Sequence, residues 1–376
     1  MKEQAMDAAS KRWAGFCDSI RDAGQEILRS AEGADPVSQA EGLRYLTRLL
    51  RSGIEKFVEY SDPDDPYLAN VYNDRLKWGL DNPDSLYAIG AIKDDTEYRI
   101  TGNIGTVNYF NFTSAIMSTD AKYQITGVLD SPDVVADADG NFTVHVGGPR
   151  RAQNWVPLAP GSNSIMVRQT FADRARETEM AFRIEQAGRQ SPARPITIDR
   201  ALEKISQAES FFCNTGRTFV SLADRIGKSV NQLPLVDQAF MLSMGGDPNY
   251  AYFWGGFRIE PGEALLIHFR DVPGSDTWSL CLYSYWLESL DYTRALVNLN
   301  KHLAQPNADG SLTIVVAAEA PGVPNWLDTQ GHIRGNIMSR WVNPDHVTHP
   351  STALVRLDEV DWAARLRRWP TETGCI

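Results

Sequence analysis

Two stretches of the chain, ADGNFTVHVGGPRRAQNWVPL at residues 138–158 and ADGSLTIVVAAEAPGVPNWLDT at residues 308–329, share one pattern. Each stretch begins with an Ala-Asp-Gly turn, continues as a strand with Thr at the same place, and reaches Asn-Trp after a loop. Arg168 and Arg340 extend the match, because each lies in the apolar strand that follows. The offsets are 170 residues at the aspartates, 171 at the asparagines and 172 at the arginines. Such a small drift indicates an internal duplication.

The segments around both copies alternate with period two, which is the spacing of half-buried strands. Strand signals run from about Leu86 to Ile184 and again from Ala251 to about Val342. Helical spacing of three and four residues appears before the first copy and between the copies. The first helix has an apolar stripe that includes Met6, Trp13, Ala23 and Ile27, and we expect this stripe to pack on the body of the protein. A second helix is predicted to begin at Asp35-Pro36, a cap and a first-turn proline. The sequence therefore predicts a mainly β protein with helical additions, an α+β fold. We expect two jelly-roll-like β-sandwich repeats, N-terminal helices and a helical insert between the repeats.

The predicted domains follow these changes of period. They are an N-terminal helical region at 1–80, a first β-sandwich at 81–190, a helical connector at 191–244, a second β-sandwich at 245–345 and a C-terminal tail at 346–376. The tail includes a short acidic and aromatic stretch around Trp362. A cleft between the two sandwiches, or the open end of one, is the expected place for a ligand.

Composition narrows the class of partner. The 376 residues carry a formal net charge of -11 and contain no Lys/Arg-rich run, so nucleic acid is not expected as a partner. Neither a secretory signal nor a segment of membrane-spanning length occurs. The four cysteines form no CxxC pair, which favours free thiols in a reducing compartment. We expect a cytoplasmic protein that takes a small-molecule ligand without a cofactor or metal; a homo-oligomer is compatible with the sequence.

The two copies differ after Asn-Trp. The first continues with prolines and small residues, whereas the second continues LDTQGHIRG. Asp328 and His332 are close enough for the carboxylate to orient the imidazole as a general base, and a buried Arg340 needs an acidic or anionic partner. The alternative is that Asp328 forms an Asx-turn and His332 lies at the entry of a strand. Asn325 and Trp326 recur in both copies, which favours architectural roles, although they also adjoin this candidate site.

Aromatic residues are concentrated between residues 250 and 292. Core packing explains most of them, because the pattern around residues 278–286 predicts a central strand with two apolar faces. The same rings could also line a pocket, with Arg168 and Arg340 as anion or oxyanion stabilisers. The candidate substrate-binding residues are Arg168, Tyr250, Tyr252, Trp254, Tyr283, Tyr285, Trp286, Asn325 and Trp326.

Two weaker signals resemble metal sites. Asp345, His346 and His349 have donor chemistry but lie in a loop, and Asp62, Asp64 and Asp65 lie in a proline-containing turn that ends a helix. Exposed loops explain both better. No Gly-rich phosphate loop, GxSxG, HExxH or CxxC motif occurs.

A family resemblance rests on five elements: NPDSLY at 82–87, YRITGNIGT at 98–106, NWVPLAPGSNSIMVRQTFAD at 154–173, GEALLIHF at 262–269 and PGVPNWLDTQGHIRGNIMSRW at 321–341. Together they resemble the bacterial family called domain of unknown function twelve-fourteen, over about residues 80–345, and NWLDTQGH is the most specific part. The resemblance implies jelly-roll sandwiches similar to those of peptide N-glycosidase and some viral coat proteins. It supplies no catalytic residues.

Three functions are compatible with these residues. The first is a cytosolic, cofactor-independent hydrolase or lyase acting on a hydrophobic or glycoside-like small molecule, with His332 as acid/base, Asp328 as its partner and Arg340 as a stabiliser of negative charge. The second is a non-catalytic protein that binds a small molecule or carbohydrate. The third is a terpenoid isomerase or cyclase that uses magnesium through Asp64 and Asp65.

Overall fold

The structure is a computed structural model that describes residues 2–32, 34–119, 123–188, 195–243, 246 and 249–358. Two compact units divide the chain: Met1–Lys77 with Asp84–Val220, and Trp78–Pro83 with Ser221–Ile376. Each copy of the repeat lies in its own unit. The stretch around Trp362 lies outside the described residues, and the domain boundaries drawn from the sequence stay a prediction.

Four helices occur in the described part of the chain: α1 (Lys2–Arg29), α2 (Pro36–Ile54), α3 (Ile198–Ile226) and α4 (Gln238–Ser243). The predicted start of α2 is confirmed. Asp35 is the N-cap, and its Oδ1 accepts hydrogen bonds from the backbone N–H groups of Val37 and Ser38 at 3.1 and 3.0 Å. Within the described ranges, no helix is long and apolar enough to cross a membrane.

The apolar stripe of α1 is only partly buried. Ala23 and Ile27 are each 1% exposed, because α3 comes so close that a Cβ at Gly216 would overlap Ile27. Met6 and Trp13, however, are 60% and 59% exposed. The expectation that the whole stripe packs on the protein is therefore wrong for the beginning of the helix.

The described residues of unit 1 form two sheets, in which all strand pairs are antiparallel except β6 with β7. Sheet 1A has the order β1-β2-β8-β4-β5, with β1 (Ala69–Tyr72), β2 (Ser85–Ala91), β8 (Ser164–Thr170), β4 (Tyr109–Met117) and β5 (Tyr123–Asp130). Sheet 1B has the order β7-β6-β3-β9, with β7 (Trp155–Val156), β6 (Asn141–Val146), β3 (Tyr98–Asn103) and β9 (Ala181–Gln186).

Unit 2 repeats this plan, again with one parallel pair, β14 with β15. Sheet 2A has the order β10-β16-β12-β13, with β10 (Tyr250–Arg258), β16 (Arg334–Val342), β12 (Thr277–Tyr283) and β13 (Asn298–Asn300). Sheet 2B has the order β15-β14-β11-β17, with β15 (Trp326–Asp328), β14 (Leu312–Ala317), β11 (Glu263–Phe269) and β17 (Ser351–Arg356). Strand β17 lies beyond Val342, where the strand signals of the sequence end.

The strand orders match between the units. β2-β8-β4-β5 corresponds to β10-β16-β12-β13, β7-β6-β3-β9 corresponds to β15-β14-β11-β17, and the parallel pair occupies the same place. In each unit one apolar core is built from both sheets; Phe112 and Val144 are fully buried in unit 1, and Leu280 and Ile314 in unit 2. Burial of one such side chain contributes about 1.5–3 kcal/mol. The predicted mainly β, α+β fold with two sandwich halves is confirmed.

Candidate functional site

Asn325 and Trp326 begin the stretch that the sequence marks as a candidate site. Asn325 has a left-handed backbone, with φ of 57°. Its side-chain oxygen accepts a hydrogen bond from Gln305 N at 2.8 Å, and its Nδ2 donates to Gln305 O at 2.7 Å and Thr313 O at 3.0 Å. The Trp326 indole donates to Ala317 O at 3.0 Å. All of these partners are backbone atoms.

The first copy makes the same bonds. Asn154 has φ of 51°, accepts from Val135 N at 2.8 Å, and donates to Val135 O at 2.7 Å and Thr143 O at 3.0 Å. Trp155 donates to Gly147 O at 2.9 Å. Since the copy without Asp and His uses its Asn-Trp pair identically, the geometry supports an architectural role for Asn325 and Trp326 and lends nothing to a ligand-binding one.

The side chains of Asp328 and His332 are bonded to the turn between them. Asp328 Oδ1 accepts from Gln330 N at 2.7 Å, the Asx-turn geometry. His332 Nδ1 lies 2.7 Å from Thr329 O, and because a carbonyl only accepts, this nitrogen carries the proton. The partner that orients the imidazole at Nδ1 is therefore a backbone carbonyl, whereas the sequence assigned that role to Asp328. The half-buried ring leaves Nε2 as its basic nitrogen.

Arg340 connects the β16 strand to a distant part of the chain. Its Nη1 donates to Tyr283 Oη at 2.8 Å and its Nη2 to Leu80 O at 2.6 Å. Tyr283 is fully buried and donates in turn to Asp81 O at 2.9 Å. Burial raises the pKa of Tyr283 well above its usual value, although the Arg340 charge acts in the opposite direction. The phenol therefore stays protonated and acts as a hydrogen-bond donor.

The segment Trp78–Pro83 is fastened at a second point. Asp81 is 7% exposed, and its carboxylate accepts from Ser289 N at 2.9 Å and Ser289 Oγ at 2.7 Å. Leu80 N donates to Leu287 O at 2.9 Å. These bonds explain why Arg340 can be partly buried: it holds this segment on the outer face of sheet 2A, the face turned away from the apolar core.

The outer face of sheet 2A is buried although it carries polar residues. The strand register places Trp254 of β10, Met338 of β16, Cys281 of β12 and Asn298 of β13 in one row across the sheet. All four are less than 8% exposed. The side-chain oxygen of Asn298 is buried and has no hydrogen-bond partner among the described residues. A buried amide oxygen without a hydrogen-bond partner destabilises the folded protein by about 1–3 kcal/mol, so we expect a hydrogen-bond donor at this atom.

The remaining aromatic candidates fall into two places. Tyr250 and Tyr252 stack at 5.7 Å on β10, and Trp254 meets Phe240 of α4 edge-on at 5.8 Å. Tyr285 and Trp286 lie after the end of β12, so the predicted strand is too long at this end. The Arg334 guanidinium lies 4.3 Å from the Tyr285 ring centre, Tyr285 Oη lies 3.3 Å from Asp224 Oδ1, and Trp286 is 2% exposed.

Arg168 occupies the place in unit 1 that Arg340 occupies in unit 2. It lies on β8 between Tyr87 of β2 and Asn111 of β4, and its guanidinium is 5.3 Å from the Tyr87 ring centre. The two arginines belong to different units, and their joint action on one ligand stays a prediction.

Comparisons with known proteins agree with this architecture. The family described as "Protein of unknown function (DUF1214)" matches residues 256–346. An uncharacterised protein from Burkholderia cenocepacia, solved by crystallography, is 38% identical, with a TM-score of 0.89 over 95% of this chain and 99% of that chain. The chain belongs to the DUF1214 family. The VPA0106 protein from Vibrio parahaemolyticus is 12% identical, with a TM-score of 0.45 over 83% of this chain and 97% of that chain. No curated protein matches this chain.

The DUF1214 description assigns no activity, so the weaker sequence signals depend on geometry alone. His346 lies between two carboxylates, 2.6 Å from Asp345 and 2.8 Å from Asp271. Asp64 is 2.6 Å from Lys93 Nζ. Over the described ranges, no cluster of three or more His, Cys, Asp or Glu side chains could hold a metal ion. The magnesium role of Asp64 therefore has no geometric support.

Sequence reasoning missed Asn298 and the partners of Arg340. In VNLN at residues 297–300 the alternation places the asparagines on the face opposite Val297 and Leu299, which is the correct face. That pattern ordinarily indicates a strand face exposed to solvent, whereas Asn298 is only 7% exposed. No local signal predicts that residues 78–83 contact a strand more than 250 residues later.

Proposed function

We propose that this DUF1214 protein binds a small, largely apolar molecule that carries a hydrogen-bond donor, on the outer face of sheet 2A. The observation that carries the proposal is the Asn298 side-chain oxygen, which is buried next to Cys281, in the row that continues to Met338, and has no partner in the described part of the chain. The indole of Trp254, the thioether of Met338 and the thiol of Cys281 offer apolar contacts. The Asn298 amide can orient a ligand through one hydrogen bond. That composition is typical of small-molecule sites.

Binding is better supported than acid/base catalysis. The contacts at the acid/base candidates belong to the turn that carries them: His332 Nδ1 donates to Thr329 O, and Asp328 accepts from Gln330 N. Tyr283, the phenol nearest to Arg340, is fully buried. These contacts stabilise the turn and the segment Trp78–Pro83, and the proposal therefore follows the second of the three functions derived from the sequence, non-catalytic binding.

Matched probes test the proposal without knowledge of the natural ligand. 2-Naphthol offers a hydroxyl donor on an apolar ring system, and 2-methoxynaphthalene has the same rings without the donor. We expect the wild-type protein to bind 2-naphthol about tenfold more tightly, the value of one buried hydrogen bond. Asn298→Leu should remove this preference, and Trp254→Leu should weaken the binding of both probes. Isothermal titration calorimetry measures the affinities.

The control variants are His332→Gln and Asp328→Asn, which should leave both dissociation constants unchanged. Asn298→Leu should also leave the free energy of unfolding unchanged or raise it, because it removes an unpaired buried amide and keeps a similar volume. Equal affinity of the wild type for both probes, or a loss of affinity confined to His332→Gln, would contradict the proposal.

A further inference from the structure

Lys56 lies in an unusual backbone turn of unit 1. After α2, residues Glu55–Glu59 form a π-helical turn, in which Tyr60 N donates to Glu55 O at 2.8 Å. Such turns are rare in proteins, and those that occur are often found at functional sites. The turn begins where α2 meets α3 closely, since a Cβ at Gly53 would lie 3.1 Å from Ala208 O. The packing of α2 against α3 therefore fixes the position of the turn that carries Lys56.

The amine of Lys56 is surrounded by apolar groups. Its Nζ lies 3.0 Å from Met117 Sδ, 5.3 Å from the Phe57 ring centre and 5.4 Å from the Phe211 ring centre. Within the described residues, no carboxylate forms an ion pair with it. The neighbouring acid Glu55 is paired with Arg51 at 2.7 Å. A thioether is a weak acceptor, so the charged form of the amine is poorly stabilised.

Burial accordingly lowers the pKa of Lys56 from 10.5 to about 8. At neutral pH about a tenth of the amine is then unprotonated, against less than about a thousandth for an ordinary lysine. A desolvated lysine in an apolar site is the usual activated amine of imine-forming proteins. The cluster lies near the protein surface, because Lys56, Phe57 and Met117 each keep part of their surface exposed.

A second lysine nearby offers a contrast. Lys204 Nζ donates to Val58 O at 3.0 Å, a carbonyl of the π-helical turn. Its amine is therefore engaged in holding the backbone; burial lowers the pKa of Lys204 too, although Coulombic attraction to Asp62 acts in the opposite direction. Lys56 makes no such backbone bond in the described structure, so its lone pair can reach a ligand without disrupting the turn.

From this geometry we propose that Lys56 forms an imine with a small apolar aldehyde or ketone. The neutral amine attacks the carbonyl carbon, a C–N bond forms, and the C=O π electrons move to oxygen. A proton passes from nitrogen to oxygen to give the carbinolamine. The C–O bond then breaks, water leaves, and the C=N bond forms with loss of the remaining N–H proton. No oxidant or reductant takes part. Phe57, Phe211 and Met117 contact the apolar part of the ligand.

Reductive trapping tests this site. The folded full-length protein is incubated at pH 7 with hexanal and sodium cyanoborohydride, and alkylation of each lysine is followed by peptide mass spectrometry. Lys11 is the internal reference, because its side chain is 77% exposed and it pairs with Asp7. We expect Lys56 to be alkylated at least about tenfold faster than Lys11, given its larger neutral fraction. Unfolding in urea should abolish the difference.

Lys56→Arg keeps a cation beside the two rings and removes the nucleophile, so it should lose this label while Lys11 labelling stays the same. Glyoxylate replaces hexanal in a parallel reaction, and its charge should make it a poorer reagent for Lys56. Alkylation of Lys56 no faster than that of Lys11 in the folded protein would overturn the proposal. Equal rates with glyoxylate and hexanal would overturn its apolar ligand class.

Discussion

His346 illustrates how single residues respond to pH in unit 2. Its two nitrogens face Asp345 at 2.6 Å and Asp271 at 2.8 Å, and the hydrogen bonds to Asp345 and then Asp271 raise the pKa of the imidazole above 6.5. Because the raised pKa belongs to the folded state, the stabilisation is fully present below about pH 6.5. It is lost as the pH rises through the folded pKa of His346.

We therefore expect an NMR titration of the His346 ring to give a pKa above that of a free histidine. Asp271→Asn should lower it, and Asp345→Asn should lower it more. His268 is the built-in comparison. It is 3% exposed, and burial lowers its pKa, so its contribution has the opposite sign and is lost as the pH falls. A His346 pKa that is insensitive to both substitutions would show that the carboxylates do not hold it.

At the scale of elements, close approach between neighbouring strands makes particular glycines necessary. Gly102 lies in β3, opposite Phe142 of β6 and Phe182 of β9. A Cβ at this position would overlap the backbone oxygen of Ala181 and the Cα of Phe182. Since both obstacles are on β9, any larger residue must push that edge strand away from sheet 1B.

Gly102→Ala should lower the free energy of unfolding by about 2–4 kcal/mol through this displacement. Gly15→Ala is the matched control. It lies in α1, where the nearest atom to a new Cβ is Arg12 Nη1 at 3.9 Å, and alanine should stabilise the helix by up to about 1 kcal/mol. Urea unfolding of the two variants measures both values. A Gly102→Ala protein as stable as the wild type would show that β9 has room to move.

The elements were predicted unevenly from the sequence. The cap of α2 was predicted correctly, because Asp35 and Pro36 act through neighbouring backbone atoms. Strands β1 and β17 were missed, since β1 has only four residues and β17 pairs with Glu263–Phe269, a strand far earlier in the sequence. Their pairing partners, and not their own composition, make them strands.

The duplication is the feature of the whole molecule that admits a direct test. Asn154 and Asn325 make the same three hydrogen bonds from the same left-handed conformation, but Asn325 is 8% exposed and Asn154 is only half-buried. Asn325→Ala should therefore cost about 2–3 kcal/mol of unfolding free energy and Asn154→Ala less, because water can replace part of the lost bonding at the more exposed site.

Asn325→Gly separates the two contributions, since glycine accepts a positive φ without strain but lacks the amide. It should recover about 1 kcal/mol of the loss seen with alanine. Thermal or urea unfolding of the three variants gives the comparison. If Asn154→Ala lowered the free energy of unfolding more than Asn325→Ala, the two asparagines would not have equivalent structural roles in a duplicated sandwich.

The sequence by itself determined the fold class and the two-part β architecture, because strand period and turn residues are local properties that a repeated pattern exposes twice. Tertiary structure alone decided the rest. It joins Arg340 to residues 80 and 283, buries the Asn298 amide, and surrounds the Lys56 amine with apolar groups. Burial and partner choice depend on contacts between residues tens to hundreds of positions apart, and no local spacing encodes them.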